Sequence, residues 1–165
     1  MARSSESPLL LATDTLQFRT PPRIAFVRTE WNDAIVSELV AGANRAVTQN
    51  GGQLPELIMV PGAFELPFGC RVAAQAGADA IIAFGTVIRG GTPHFEYVCK
   101  AVTEGITQLN LTLDIPVIFG VLTLNTEAEA WERLGGPHGH KGEEAGIAAL
   151  KMAALGRIRS ITRPS

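Results

Sequence analysis

From Arg23 onward, short apolar runs alternate with longer amphipathic stretches. Ile24-Ala25-Phe26-Val27 is an unbroken apolar run, the mark of a strand buried on both faces. Val36, Leu39, Val40, Ala43 and Val47 then recur at helical spacing. Asn32-Asp33 supply cap chemistry before that helix, and Asn50-Gly51-Gly52 stops it. The cycle repeats with a strand over 57–60, a turn at Pro61-Gly62-Ala63 and a helix over 64–76. A third strand over 80–84, closed by Gly85, leads through Arg89-Gly90-Gly91 into a helix carrying Phe95, Val98, Val102, Ile106 and Leu109. The fourth strand spans 116–121. After it come a short helix from Thr126-Glu127 through Trp131, a glycine-rich loop, and a last helix from Glu143 to about Leu155.

This alternation with short connections implies parallel strands joined by right-handed crossovers. The predicted fold class is α/β, a three-layer αβα sandwich around a four-stranded parallel sheet. Residues 1–22 are polar, end in Pro21-Pro22 and read as an N-terminal arm; the domain spans 23–158 and a tail 159–165. Ligands in open parallel sheets bind beyond the strand carboxyl ends. The segments to inspect are therefore 29–32, 61–65, 85–94 and 122–126.

Composition narrows the class further. A chain of 165 residues, 46% hydrophobic and 18% charged, is an ordinary single globular domain. Its net charge of −2 provides no basic field for nucleic acid or an anionic membrane, so any positive site is local. No apolar run approaches the roughly 20 residues of a membrane span. Leu9-Leu10-Leu11-Ala12 is short, is followed by Asp14 and lacks a small-residue cleavage site, which argues against a signal peptide. Cys70 and Cys99 lie within helical patterns and read as buried free thiols of a cytoplasmic protein.

Candidate chemistry concentrates in Gly85-Thr86-Val87-Ile88-Arg89-Gly90-Gly91-Thr92-Pro93-His94. Adjacent glycines permit close backbone approach to a ligand. Thr92 can cap the next helix, with Pro93 in its first position. Amides near Gly91 and Thr92 at the positive helix end make an anion site suited to phosphate, although the same residues also make an ordinary helix start. His94 stands in the first turn. The helix start disfavours an imidazolium and a bound phosphate favours it, and a histidine between such opposing fields suits proton transfer near neutral pH. The plain alternative is a surface histidine at a helix end.

A second group is Glu132-Arg133-Leu134-Gly135-Gly136-Pro137-His138-Gly139-His140-Lys141-Gly142-Glu143-Glu144. Arg133 and Lys141 flank the loop, and a guanidinium can hold phosphate through two parallel bonds. His138 and His140 have no third ligand nearby, so no metal site is expected; the segment otherwise reads as a solvated loop. Backbone groups and Glu65 in the turn after the second strand could bind a polar heterocycle. Trp31, after the first strand, could stack on a flat ring or simply pack.

Trp31-Asn32, Pro61-Gly62-Ala63-Phe64-Glu65, Gly85-Thr86-Val87-Ile88-Arg89-Gly90, Thr92 with His94, and Arg133 with Lys141-Gly142 together resemble the 6,7-dimethyl-8-ribityllumazine synthases of riboflavin biosynthesis. The resemblance covers nearly all of residues 23–155. It implies a flavodoxin-like strand order and condensation of 5-amino-6-(D-ribitylamino)uracil with 3,4-dihydroxy-2-butanone 4-phosphate, without metal or organic cofactor. By position it makes Trp31 the stacking aromatic, with Asn32 beside it. Ala63 and Glu65 would hold the ribityl chain, with Phe64 in the same turn. Val87 and Ile88 would line the pyrimidine end through their backbones. Gly91, Thr92 and Arg133 would bind phosphate, and His94 would move protons. Phe119 and Lys141 would complete the pocket, Phe119 from a neighbouring subunit. Glu144 lies near the matched Lys141 and could orient or buffer a charged partner. A homopentamer is implied, and Pro21-Pro22, unable to donate ladder hydrogen bonds, favours a free ring over a larger shell. The chain departs from the family pattern with Trp31 for the usual phenylalanine, Pro93 for threonine and Pro137 for a frequent lysine.

Two other classes deserve comparison. A non-catalytic flavin or ribityl-ligand carrier of the same fold would need the stack and anion site but not His94. A phosphorylation receiver needs an aspartate ending the third strand, where this chain has Phe84-Gly85-Thr86; that class is rejected.

Overall fold

The computed structural model describes residues 8–162. Four parallel strands form the central sheet: β1 (Ile24–Thr29), β2 (Glu56–Val60), β3 (Ala80–Ile88) and β4 (Val117–Leu124), in the order β2-β1-β3-β4. The parallel pairing is that expected from strand–helix alternation, and the order is the flavodoxin-like one that the family resemblance implied. Helices α2 (Asp33–Gln49) and α6 (Lys141–Thr162) cover one face, and α3 (Leu66–Gln75) and α4 (His94–Thr112) cover the other. A four-residue α1 (Pro8–Leu11) precedes the sheet, and α5 (Glu127–Trp131) follows β4. Among the described residues, no helix is long and apolar enough to cross a membrane.

Side-chain alternation along the strands divides the core. Ile24, Phe26, Ile82 and Phe84 pack with Leu39, Val47, Ala149 and Leu150. Ala25, Val27, Ile81 and Ala83 pack with Leu66, Cys70, Val102 and Ile106 on the opposite face. Phe26 meets Phe84 edge-to-face, with ring centroids 5.2 Å apart. Burial pushes the Cys70 thiol up to about 12. Cys99 on α4 is only half-buried, so the expectation of two buried thiols holds for Cys70 alone.

Several boundaries differ from those read in the sequence. β3 runs through Gly85 instead of ending there, because Leu66 and Thr29 press on the strand and leave little room for a side chain: a Cβ at Gly85 would lie 3.2 Å from each. β4 continues past the expected end at 121 to Leu124; it contains Gly120, as expected, where a Cβ would fall 2.8 Å from the Ala83 carbonyl oxygen. The glycine-rich segment after α5 forms an antiparallel hairpin, β5 (Leu134–Gly136) with β6 (Gly139–His140), using positive φ at Gly135 and Gly139. The last helix extends well past Leu155, so the boundary expected at 158 falls inside α6.

The described part of the arm, from Pro8 onward, lies against its own domain. Lys151 Nζ donates to the carbonyls of Leu9 and Leu10, Arg157 donates to the Thr20 carbonyl, and Phe18 packs on the core. Gln53 donates its backbone N–H to the Pro22 carbonyl and its side-chain amide to that of Pro21.

Candidate active site

Three strand ends are tied together by hydrogen bonds. Glu30 N donates to the Val60 carbonyl at 2.9 Å, and Trp31 N donates to that of Pro61 at 3.3 Å. Asn32 Nδ2 crosses to the Thr86 carbonyl at 2.8 Å. Asn32 occupies the cap position of α2 in the left-handed region, at φ 57° and ψ 44°, a conformation asparagine tolerates better than most residues. Its amide does not cap the helix as expected; it fastens β1 to β3.

The turn after β2 sits beside this bridge. Ala63–Glu65 form a 3-10 turn leading into α3, and Glu65 Oε2 accepts the Gly62 N–H at 3.0 Å. A Cβ on Gly62 would come 3.2 Å from that oxygen and 3.7 Å from the Trp31 ring, so both side chains close around this glycine. Trp31 is 73% exposed and Phe64 65% exposed, large apolar groups left open at the sheet's carboxyl edge. Val87 and Ile88, half-buried, are the last two residues of β3.

Arg89 then pins the loop. Its N–H donates to the Leu124 carbonyl, its Nε donates to Asn125 Oδ1 at 3.0 Å, and its guanidinium stacks on Phe95 and pairs with Glu96. The hydrogen bond from Arg89 is the main influence holding the Glu96 carboxyl below its ordinary value. Gly90 and Gly91 are open: a Cβ on either would meet nothing within 4 Å. Helix α4 starts one residue later than expected, with Pro93 in the cap position and His94 first in the helix. Thr92 therefore does not cap it; a proline whose φ of −63° already suits the helix occupies that place, and no side chain caps this end. Thr92 and His94 are exposed.

Phe119, Arg133 and Lys141 gather elsewhere. They line a cleft of about 540 Å³ beside edge strand β4, together with Leu39, Leu122 and Glu144. None of Trp31, Asn32, Ala63, Phe64, Glu65, Val87, Ile88, Gly91, Thr92 or His94 lines it. Arg133 donates through Nη1 to the Glu129 carbonyl at 2.7 Å, and its own carbonyl accepts the Lys141 N–H at 2.8 Å. Lys141 Nζ donates to both Glu144 carboxylate oxygens, at 2.8 and 2.9 Å. The expected site residues thus form two groups within one chain.

Sequence reasoning did not identify the Arg89–Asn125–Glu96 clamp. Its one visible signal was an arginine directly before the glycine pair. His138 and His140 face different partners, Glu132 and Glu38 respectively.

Comparisons with known proteins give the family. A family model described as 6,7-dimethyl-8-ribityllumazine synthase matches residues 21–157. Proteins named 6,7-dimethyl-8-ribityllumazine synthase are similar over most of the chain. That of Streptomyces avermitilis is 47% identical over 144 residues, covering 86% of this chain and 88% of its own. That of Porphyromonas gingivalis is 50% identical over 139 residues, covering 82% and 86%. The fold, the linked strand ends and this similarity along nearly the whole domain agree: the chain belongs to the 6,7-dimethyl-8-ribityllumazine synthase family.

Proposed function

We propose that the protein condenses 5-amino-6-(D-ribitylamino)uracil with 3,4-dihydroxy-2-butanone 4-phosphate, giving 6,7-dimethyl-8-ribityllumazine, phosphate and water, at a site shared between neighbouring copies. The observation that carries the shared site is the division just described. Trp31, Phe64 and His94 are exposed on segments that follow the carboxyl ends of β1, β2 and β3, while Arg133 shares its cleft with Phe119 and Lys141. A neighbour presenting the second group to the first completes one pocket.

In that pocket the Trp31 ring stacks on the pyrimidine, and Asn32 holds the strand ends in register beneath it. Backbone groups of Val87 and Ile88 read the heterocycle's polar edge. Ala63 and Glu65 hold the ribityl chain, with Phe64 alongside; Glu65 spends Oε2 on Gly62, which leaves Oε1 for a hydroxyl. Gly91, Thr92 and the neighbour-facing Arg133 hold phosphate, and Phe119 and Lys141 close the pocket.

The chemistry needs positioning and proton transfers. The pyrimidine amine adds to the ketone, and loss of water leaves an imine. Removal of a proton next to the imine expels phosphate, with the bonding electrons leaving on its oxygen. Elimination leaves an enol, which takes up a proton at its terminal carbon and becomes a ketone beside the imine. The ribityl-bearing nitrogen then closes the ring on this new carbonyl, and a second water departs. His94 moves these protons, and Arg133 with the loop amides takes up charge on the leaving phosphate.

A pair of carboxylate bonds on Lys141 keeps its ammonium in place as the charge near the phosphate changes. The assembly is a homopentamer, whose ring places each chain's second group against the next chain's first. The arm's attachment to its own α6 supports a free ring over a shell. Two free thiols on separate helices support a cytoplasmic location.

Arg133→Ala tests the assignment. KM for the butanone phosphate is expected to rise about tenfold or more, with pyrimidine affinity little changed. Equal losses for both substrates would remove Arg133 from the phosphate site.

A further inference from the structure

The hairpin that carries Arg133 and Lys141 is anchored by a residue outside the proposed pocket. His140 lies on β6 opposite Leu134, and its side chain is 8% exposed. The ring rests on α2 at Gly42, where a Cβ would fall 2.1 Å from His140 Cε1. Only glycine leaves room for it.

Both ring nitrogens are used. The Glu143 amide donates to Nδ1 at 3.4 Å, and Nε2 lies 3.2 Å from Glu38 Oε1. An accepting Nδ1 places the neutral ring's proton on Nε2, where it is donated to the carboxylate. Arg45 joins the same group, 3.7 Å from Glu38 and 3.1 Å from Glu143. One imidazole therefore connects α2, the hairpin and the first turn of α6. Lys141 follows directly in sequence and donates its N–H to the Arg133 carbonyl, so a shift of His140 carries both cations with it.

We propose that His140 is a positioning residue, setting where Arg133 and Lys141 face the cleft and so how tightly the phosphate-bearing substrate is held. This rests on the roles given above to those two cations. His140 touches no substrate itself.

Gly42→Ala tests this without altering the imidazole. The added methyl expels the ring, while α2 gains helix propensity. In the whole protein, His140→Ala and Gly42→Ala are both expected to raise KM for the butanone phosphate about tenfold, less than the roughly hundredfold a full 1 Å misplacement can cost. Glu38→Ala gives a smaller rise in the same direction. Pyrimidine KM stays within about twofold of the parent. In an Arg133→Ala background, His140→Ala adds less than about twofold, because the group it positions is gone.

Hydrogen exchange at the Lys141 amide reads the anchor independently of turnover. It should quicken about tenfold or more in both His140→Ala and Gly42→Ala. If the parent protein made no lumazine, the functional assignment would fail while this exchange still decided the anchor. Unchanged exchange with unchanged KM in both variants, or equal rises in both KM values, would overturn the proposal. Should His140→Ala not fold, Gly42→Ala decides alone.

Discussion

Gly142→Ala probes the contact that places α6, and with it Lys141 and Glu144, against the rest of the domain. A Cβ at Gly142 would lie 2.1 Å from the Leu39 carbonyl oxygen, 2.8 Å from its carbon and 3.0 Å from its Cα. Ordinary contact begins at 3.4 Å, so the two backbones must separate by about 1.3 Å locally (3.4 less 2.1). One turn along, Gly146 is similarly close to the Ala43 carbonyl oxygen at 2.8 Å, so α6 cannot pivot freely to relieve the clash. Overpacking costs about 1–3 kcal/mol, and a rigid carbonyl places this site at about 3. The helix-propensity gain of alanine offsets about 1 at most. A net loss near 2 kcal/mol lowers Tm by about 4–8 °C for a chain of this length. Thermal denaturation at fixed protein concentration measures it, with Gly156→Ala as the internal comparison. Gly156 lies on the same helix, and a Cβ there would meet nothing within 4 Å, so its replacement should hold or raise Tm. If Gly142→Ala behaved like Gly156→Ala, the close approach of α2 and α6 would be wrong.

Two further outcomes follow from buried and paired groups. Thr86 Oγ1 is buried without a hydrogen-bond partner, so Thr86→Val should leave denaturant stability unchanged or raise it by about 1 kcal/mol; a clear loss would reveal a partner for this hydroxyl. Glu96 has a carboxyl held below its ordinary 4.5 by Arg89, so the clamp's contribution is complete above pH 4.5 and fades as pH falls through the lower folded value. Arg89→Gln should move the Glu96 midpoint, followed by NMR titration, back up toward 4.5; an unmoved midpoint would mean Arg89 does not hold it.

The layered fold was legible because each strand is an apolar run and each helix an apolar stripe, signals carried by neighbours in sequence. Glycine was the misleading residue. Gly85 looks like a terminator, yet it sits inside β3, where side chains from other segments crowd the space a Cβ would fill. Asn32 looked like a helix cap, but its amide is used 54 residues away at Thr86. His140 offered no local signal, since Glu38 lies 102 residues before it. Individual site residues could be named from short motifs, and the family resemblance already gave Phe119 to a neighbouring subunit, whereas no motif showed that Arg133 and Lys141 share its cleft apart from His94. Phe119 and Arg133 come together only because β4 is a sheet edge with the hairpin and α6 beside it.

The most direct test of the shared pocket is subunit complementation. His94→Ala and Arg133→Ala chains are each expected to be impaired when assembled alone at low butanone phosphate. Coassembled in equal amounts, they should regain roughly a quarter of parental lumazine formation, because one contact in four joins an intact His94 to an intact Arg133. Activity no greater than the average of the two separate variants would contradict a phosphate held between neighbouring copies.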